Sequence, residues 1–322
     1  MTAVRSLITR LVLFARHAQD WIVAQLAFLP LMLLKLLPAD TALNLMDRVS
    51  RFAGPRFMRG RHLLTLANLR AAYPEKSDDE IQAIALESWG SIGRLAAEYV
   101  FLDRLFDYDP TRGAPGRVEV VGAPIFLDLR DNPRPFIVFT AHTGSFEMLP
   151  VAGSAFGLDV TVLFRPPNNA TMAKKVFEFR AKRMGTLVPS HAGSSFTLAR
   201  KLDEGHGIGV LVDQKFRKGL ETTFFGQPVK TNPLLAKLVR QFGCEVYPAR
   251  CIRLPGNRFR LEIEPAVTIP RKEGGSVDVE ATAQLLNDTV ERWVREYPGQ
   301  WLWYHDRWHV KRRVARETKT KM

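Results

Sequence analysis

The chain has 322 residues, room for one large domain or two modest ones, and its 46% hydrophobic and 25% charged content excludes a disordered or fibrous protein. A formal charge of +13 and a pI near 10.0 call for an anionic partner: nucleic acid, an anionic membrane surface, a phosphorylated substrate or an acidic carrier protein. The two cysteines, Cys244 and Cys251, flank a strand-like run of about 23 Å. That separation argues against an intrachain disulfide, and with no histidine cluster beside them they make no zinc site.

The first element, in residues 1–46, is the apolar run Trp21 to Leu37, preceded by Arg5, Arg10 and Arg16. As a helix it would reach about 25 Å, slightly short of a hydrocarbon core of about 30 Å. Pro30 would kink it, and Gln25 and Lys35 interrupt it. It reads as a membrane anchor, spanning or dipping, with a cytoplasmic N-terminus if it spans. A buried core helix and a cleaved signal peptide are the rival readings. Residues 47–116 read as a helical, membrane-facing region. Arg48, Arg51, Arg56, Arg59, Arg61 and Arg70 stand there among Phe52, Phe57, Leu63 and Leu66, a composition suited to anionic headgroups. Ser77-Asp-Asp-Glu80 is a capping box, and Ile81, Ile84, Ala85, Trp89, Ile92, Leu95, Ala96 and Tyr99 then follow helical spacing. Glu98 falls near the apolar stripe of that helix and could face a site, although a surface carboxylate is the favoured reading.

From Arg117 the texture changes, and residues 117–322 predict an α/β domain with a mostly parallel central sheet flanked by helices. Strands are predicted at Val118–Val121, Phe136–Thr140, Val160–Phe164, Ile208–Val212, Val246–Ala249 and Phe259–Ile263. Helices are predicted at Ala170–Met184, Ser194–Asp203, Pro233–Phe242 and Val279–Glu296. The tail from Arg307 to Met322 is basic and reads as a frayed end.

The strand Phe136–Thr140 runs into Ala141-His142-Thr143-Gly144-Ser145-Phe146-Glu147. On a continuous helix the His142 and Glu147 side chains would point about 140° apart. They can meet only if His142 sits in a loop and Glu147 lies in the first turns of the helix that follows. So placed, His142 is a candidate general base and Glu147 its orienter, with the positive end of the helix dipole disfavouring protonation of the ring. A capped helix that merely begins with a histidine is the bland alternative.

The flanks narrow this. The HTGSFE box resembles the His-x4-Asp/Glu box of the glycerolipid acyltransferase superfamily, and within it the bacterial lipid A biosynthesis acyltransferases. The resemblance extends in order through Asn68-Leu-Arg-Ala-Ala-Tyr-Pro-Glu75, Phe164-Arg-Pro166, Val212-Asp-Gln214, Phe224-Phe-Gly-Gln-Pro228 and Pro298-Gly-Gln-Trp-Leu-Trp-Tyr-His305. The chain departs from the pattern at Lys215-Phe216 and around Asn232-Pro233.

The resemblance implies transfer of an acyl chain from acyl carrier protein to the hydroxyl of a hydroxyacyl chain on a lipid A precursor. It further implies a site at the cytoplasmic side of the inner membrane, with no metal and no cofactor. Arg165 is expected to serve the anionic substrate or the reacting oxygen, with Gly144 near the oxyanion. Asp213, at a strand's end, is expected to orient Arg165 or a substrate hydroxyl, and Arg183 to contact phosphate or carrier. His191, His206, His305 and His309 have no acid at a telling spacing and read as structural or exposed. A sister enzyme for another glycolipid or a lysophospholipid is the near alternative. A non-catalytic basic protein would explain the charge but not the ordered motifs. The expected partners are therefore the carrier protein, the lipid A precursor and anionic inner-membrane lipids, not nucleic acid.

Overall fold

In the computed structural model, which describes residues 2–109 and 116–308 apart from Asn168, Lys182 and Ala192, the chain opens with helices α1 (Thr2–Leu34), α2 (Ala39–Phe57), α3 (Arg59–Ala72) and α4 (Asp78–Leu105). The capping box forms: Ser77 Oγ accepts from the Glu80 N–H, and the Glu80 carboxylate accepts from the Ser77 N–H. The structure does not confirm the N-terminal anchor expectation. Among the described residues no helix is long and apolar enough to cross a membrane. From Trp21 to the end of α1 at Leu34 the apolar run measures only about 21 Å.

The remainder runs β1 (Val118–Val121), α5 (Ala123–Asp131), β2 (Phe136–Thr140), α6 (Met148–Ala155), β3 (Val160–Phe164), α7 (Ala170–Ala181), β4 (Thr186–Pro189), α8 (Ser194–Asp203), β5 (Gly207–Leu211), β6 (Leu220–Phe224), β7 (Gln227–Thr231), α9 (Leu234–Phe242), β8 (Glu245–Leu254), β9 (Arg258–Ile263) and α10 (Val279–Glu296). Seven strands form one sheet in the order β1-β9-β8-β2-β5-β3-β4. β8, β2, β5, β3 and β4 run parallel, while β9 is antiparallel to β8 and carries β1 parallel to itself. The α/β sheet flanked by helices is therefore as predicted, with one reversed edge. A separate hairpin, β6–β7, turns through Phe225 and Gly226, both at positive φ (52° and 66°), the geometry of the tight hairpin turn whose twist matches its strands.

The period of two along β2 divides the core. Ile137 and Phe139 enter one cluster with Ile208, Val210, Trp293 and Trp301. Phe136 and Val138 enter the other with Met148, Tyr247 and Phe259. Cys244 and Cys251 are buried free thiols. Arg307 departs from the frayed-tail reading: it is 2% exposed and donates to Gln214 O, Lys230 O, Thr231 Oγ1 and Asn287 Oδ1 at 3.0–3.2 Å. His309 and the rest of the tail lie outside the described residues.

Candidate active site

The register of the central strands brings the site together. Thr140 of β2 is paired with Leu211 of β5, and two residues beyond each of these come His142 and Asp213. Both side chains emerge at the carboxyl ends of adjacent parallel strands, where α/β folds collect their ligands. His142 Nδ1 lies 2.8 Å from Asp213 Oδ1, and the His142 backbone N–H donates to Asp213 Oδ2 at 2.9 Å. The Trp301 indole donates to the same oxygen at 2.8 Å. With an ionised carboxylate as its neighbour, Nδ1 is the donor and Nε2 keeps its lone pair, facing the Gln214 amide nitrogen at 3.1 Å.

Burial works against charging the His142 ring, but the charge of Asp213 and its hydrogen bond more than offset that, and the imidazole pKa is raised above its ordinary value; Glu147 adds to the effect and Arg180 opposes it. Burial alone would raise the Asp213 pKa, yet the His142 imidazole and backbone N–H and the Trp301 indole hold it well below the usual carboxylate range. The expected dipole effect is overtaken. The helix after the box, α6, begins only at Met148, and an acid in direct contact outweighs a helix terminus six residues away.

The box itself is a clamped turn. Gly144 has φ +56°, and a Cβ there would sit 2.0 Å from Cys251 O, so only glycine fits. Its N–H donates to Gln300 O at 2.9 Å, and the Ser145 N–H donates to Cys251 O at 2.7 Å. Leu302 N–H closes the far side onto His142 O at 3.1 Å. The Gly144 N–H is thus engaged within the fold and is not itself one of the oxyanion donors expected near it.

Glu147 is not the partner of His142. It is 6% exposed, the N-cap residue of α6, and its carboxylate is ion-paired with Arg180 of α7. The Tyr99 hydroxyl bonds to that carboxylate and accepts from Arg180 Nε at 2.9 Å. Burial and the Glu147 charge push the Tyr99 pKa well above its ordinary value, so the phenol keeps its proton. The side chain contributed by α7 is therefore Arg180, fixed by an acid and packed 5.5 Å from the Phe164 ring centroid.

Arg165 follows β3 directly, two strands from His142 across the sheet or about 10 Å, and is exposed. Asp213, which was expected to orient it, is taken up by His142. Arg183 is half-buried, with Nη2 3.5 Å from Asp103 of α4. Of the six residues singled out in the sequence, the structure joins His142 to Asp213, sets Gly144 and Glu147 in the adjoining turn, places Arg165 where its charge reaches the neighbouring His305, and sets Arg183 against Asp103.

Other neighbours were missed. Tyr99, Arg180, Gln214 and Trp301 all touch the constellation, and His305 lies with its ring centroid 5.9 Å from that of His142. Burial, then the charge of His142, with Arg61 and Arg165 adding, lower the His305 pKa to about 4 against the opposing pull of Asp213, so this ring is neutral at pH 7. Glu98 is likewise no surface carboxylate, being 1% exposed. Chemically, the arrangement offers one oriented ring nitrogen, Nε2 of His142, in the same constellation as a guanidinium fixed by an acid.

Comparison with known proteins reaches the same region of chemistry. The sequence profile of the family described as bacterial lipid A biosynthesis acyltransferase matches residues 11–310. The lipid A biosynthesis palmitoleoyltransferase of Escherichia coli (strain K12) is 23% identical over 281 residues, covering 85% of this chain and 87% of that protein. The lauroyltransferase of the same organism is 23% identical over 269 residues, covering 80% and 81%. The phosphatidylinositol mannoside acyltransferase of Mycolicibacterium smegmatis (strain ATCC 700084 / mc(2)155) is 22% identical over 286 residues, covering 86% and 88%.

Proposed function

Because the chain belongs to the bacterial lipid A biosynthesis acyltransferase family, we propose that it transfers a fatty acyl chain from acyl carrier protein to the hydroxyl of a hydroxyacyl chain on a lipid A precursor, at the cytoplasmic face of the inner membrane. The observation that carries the chemistry is the His142–Asp213 pair at the ends of adjacent parallel strands. The acceptor hydroxyl replaces the Gln214 amide at Nε2 and gives up its proton there as its oxygen attacks the thioester carbonyl. Asp213 stabilises the imidazolium so formed. Arg180, held by Glu147 and Tyr99, supplies fixed positive charge toward the developing oxyanion. Collapse forms the ester, breaks the carbon–sulfur bond, and returns the proton from Nε2 to the departing thiolate.

A second acceptor class has specific support, because the mannoside acyltransferase is about as similar to the chain as the lipid A enzymes are. Purified protein incubated with acylated carrier protein and either a lipid A precursor or a phosphatidylinositol mannoside separates the two by mass spectrometry of the product. Acylation of the lipid A precursor is expected, falling steeply as salt rises, since a chain of net charge +13 meets an acidic carrier. Product from the mannoside alone would reassign the acceptor. Equal rates with an acyl-coenzyme A donor and no salt effect would overturn the carrier dependence.

A further inference from the structure

We propose that Glu98 of α4 is a positioning residue for the His142 base, making the N-terminal helical region part of the catalytic unit. The inference rests on His142 acting as the base. The Glu98 carboxylate accepts from Ser145 Oγ at 2.8 Å, and from Arg253 Nε and Nη2 at 2.5 and 2.8 Å. Ser145, three residues past His142, is thus gripped through its side chain by α4 and through its N–H by Cys251 O of β8. Arg253 completes a ring around the turn. Its N–H and C=O exchange hydrogen bonds with the Gln300 amide, both at 2.9 Å, and Gln300 O receives the Gly144 N–H at 2.9 Å.

Asp213 is tied to the same helical region by another route. Ser88 Oγ, on α4, donates to Trp301 O at 2.8 Å, and the Trp301 indole is the donor that Asp213 receives. Asn68 of α3 donates from Nδ2 to Trp303 O and His305 O, each at 2.7 Å. Both members of the dyad are therefore connected through buried polar side chains to α3 and α4, the second of which also holds Arg180 through Tyr99. A desolvated carboxylate–guanidinium pair stabilises a fold no better than apolar side chains of equal volume. What the pair contributes here is direction, which a base needs to within a fraction of an ångström.

Ser145→Ala deletes the contact to Glu98 without removing a charge. Assayed with a dodecanoyl thioester of acyl carrier protein and a lipid A precursor, it should lose turnover by about 10- to 100-fold with the KM for the thioester unchanged and melting close to wild type. NMR titration of the His142 ring provides a readout that needs no substrate. Asp213, Glu147, Arg180 and the neutral His305 face that ring, so a shifted titration in Ser145→Ala reports altered geometry relative to them. Glu98→Gln keeps an oxygen for Ser145 and should retain more turnover than Glu98→Ala. Adding Ser145→Ala to Glu98→Gln should lower turnover by less than the two single losses multiplied.

Normal turnover in His142→Ala would remove the base itself. An inactive His142→Ala beside folded Ser145→Ala and Glu98→Gln proteins with wild-type turnover and an unmoved ring titration would leave Glu98 a structural ion pair and end the positioning role. If Glu98→Gln does not fold, Ser145→Ala decides alone.

Discussion

With Nδ1 tied to Asp213, the His142 ring has one tautomer and one direction, and substitutions can separate those two properties. His142→Ala should lower turnover by about 10²–10⁴-fold with little change in fold. Asp213→Asn should be comparably severe, because an amide donor pointed at Nδ1 favours the wrong tautomer. The double variant should be little worse than His142→Ala alone. Glu147→Ala and Arg180→Ala should likewise be non-additive with each other, since their contact is mutual. The pair also predicts a stability window. The His142 pKa is raised by folding, so its contribution is complete below about pH 6.5 and is lost as pH rises through the folded value. The Asp213 pKa is depressed, so its contribution is present above about pH 3.9 and is lost as pH falls toward the folded value. The melting-temperature difference between wild type and Asp213→Asn should therefore be widest between about pH 4 and 6.5. A difference that grows steadily toward pH 9 would contradict the raised imidazole.

At the scale of elements, the long patterned segments were legible and the short ones that make the site were not. α4 carries its own capping box, and α10 has helical spacing over its whole length, so each declares itself locally. β2, β3 and β5 are apolar runs bounded by turns. The pairing of β2 with β5 has no such local signal. It joins residues 71 apart, so the acid that meets His142 could not be chosen over the nearer Glu147 from spacing alone. A usable hint was present, since His142 and Asp213 each follow a predicted strand end within two residues. The β6–β7 hairpin was hidden because its strands mix Thr, Glu, Lys, Gln and Pro, and its turn uses Phe225 where Asn or Gly would announce it. Arg307 was misread because its acceptors come from Gln214, β7 and α10, and no tail composition shows that. The clamped turn after β2 gives the test at this scale. Gly144→Ala meets both a positive φ and the Cys251 carbonyl, and should cost more than about 1 kcal/mol, together with most of the turnover. Denaturant midpoints and initial rates on the same preparation check it. A stable, fully active Gly144→Ala protein would mean the turn is not held as the structure has it.

For the molecule as a whole, the placement of α1 decides how a membrane could be engaged. Asp20, just before its apolar run, and Gln25, within it, dock the helix against the α7 region: Asn169 Nδ2 donates to Asp20 O at 2.8 Å, and Lys175 Nζ to Gln25 Oε1 at 3.2 Å. A helix bound sideways in this way and too short in its apolar run to span leaves its remaining face outward. Trp21, Leu26, Leu29, Met32, Leu33 and Leu36 are each more than half exposed, and Phe52 and Phe57 of α2 and Leu63 of α3 are likewise exposed beside Arg56, Arg59 and Arg61. Apolar side chains uncovered on this scale mark a surface that water does not normally face, and interleaved arginines suit a surface of anionic lipid. We propose attachment in the plane of the bilayer, with apolar contact as the larger part of the binding and charge as the adjustable part. The wild-type protein should bind vesicles containing phosphatidylglycerol and stay bound in molar salt, because apolar insertion is not screened. Replacing Leu26, Leu29 and Phe52 together with serine should abolish that salt-resistant fraction while leaving His142-dependent turnover of a detergent-dispersed acceptor intact. Changing Arg56 and Arg59 to glutamine should instead weaken binding to anionic vesicles and leave neutral vesicles unaffected. Complete release of wild type by salt would mean that charge alone holds the protein to the lipid, and the exposed leucines of α1 would then need another occupant.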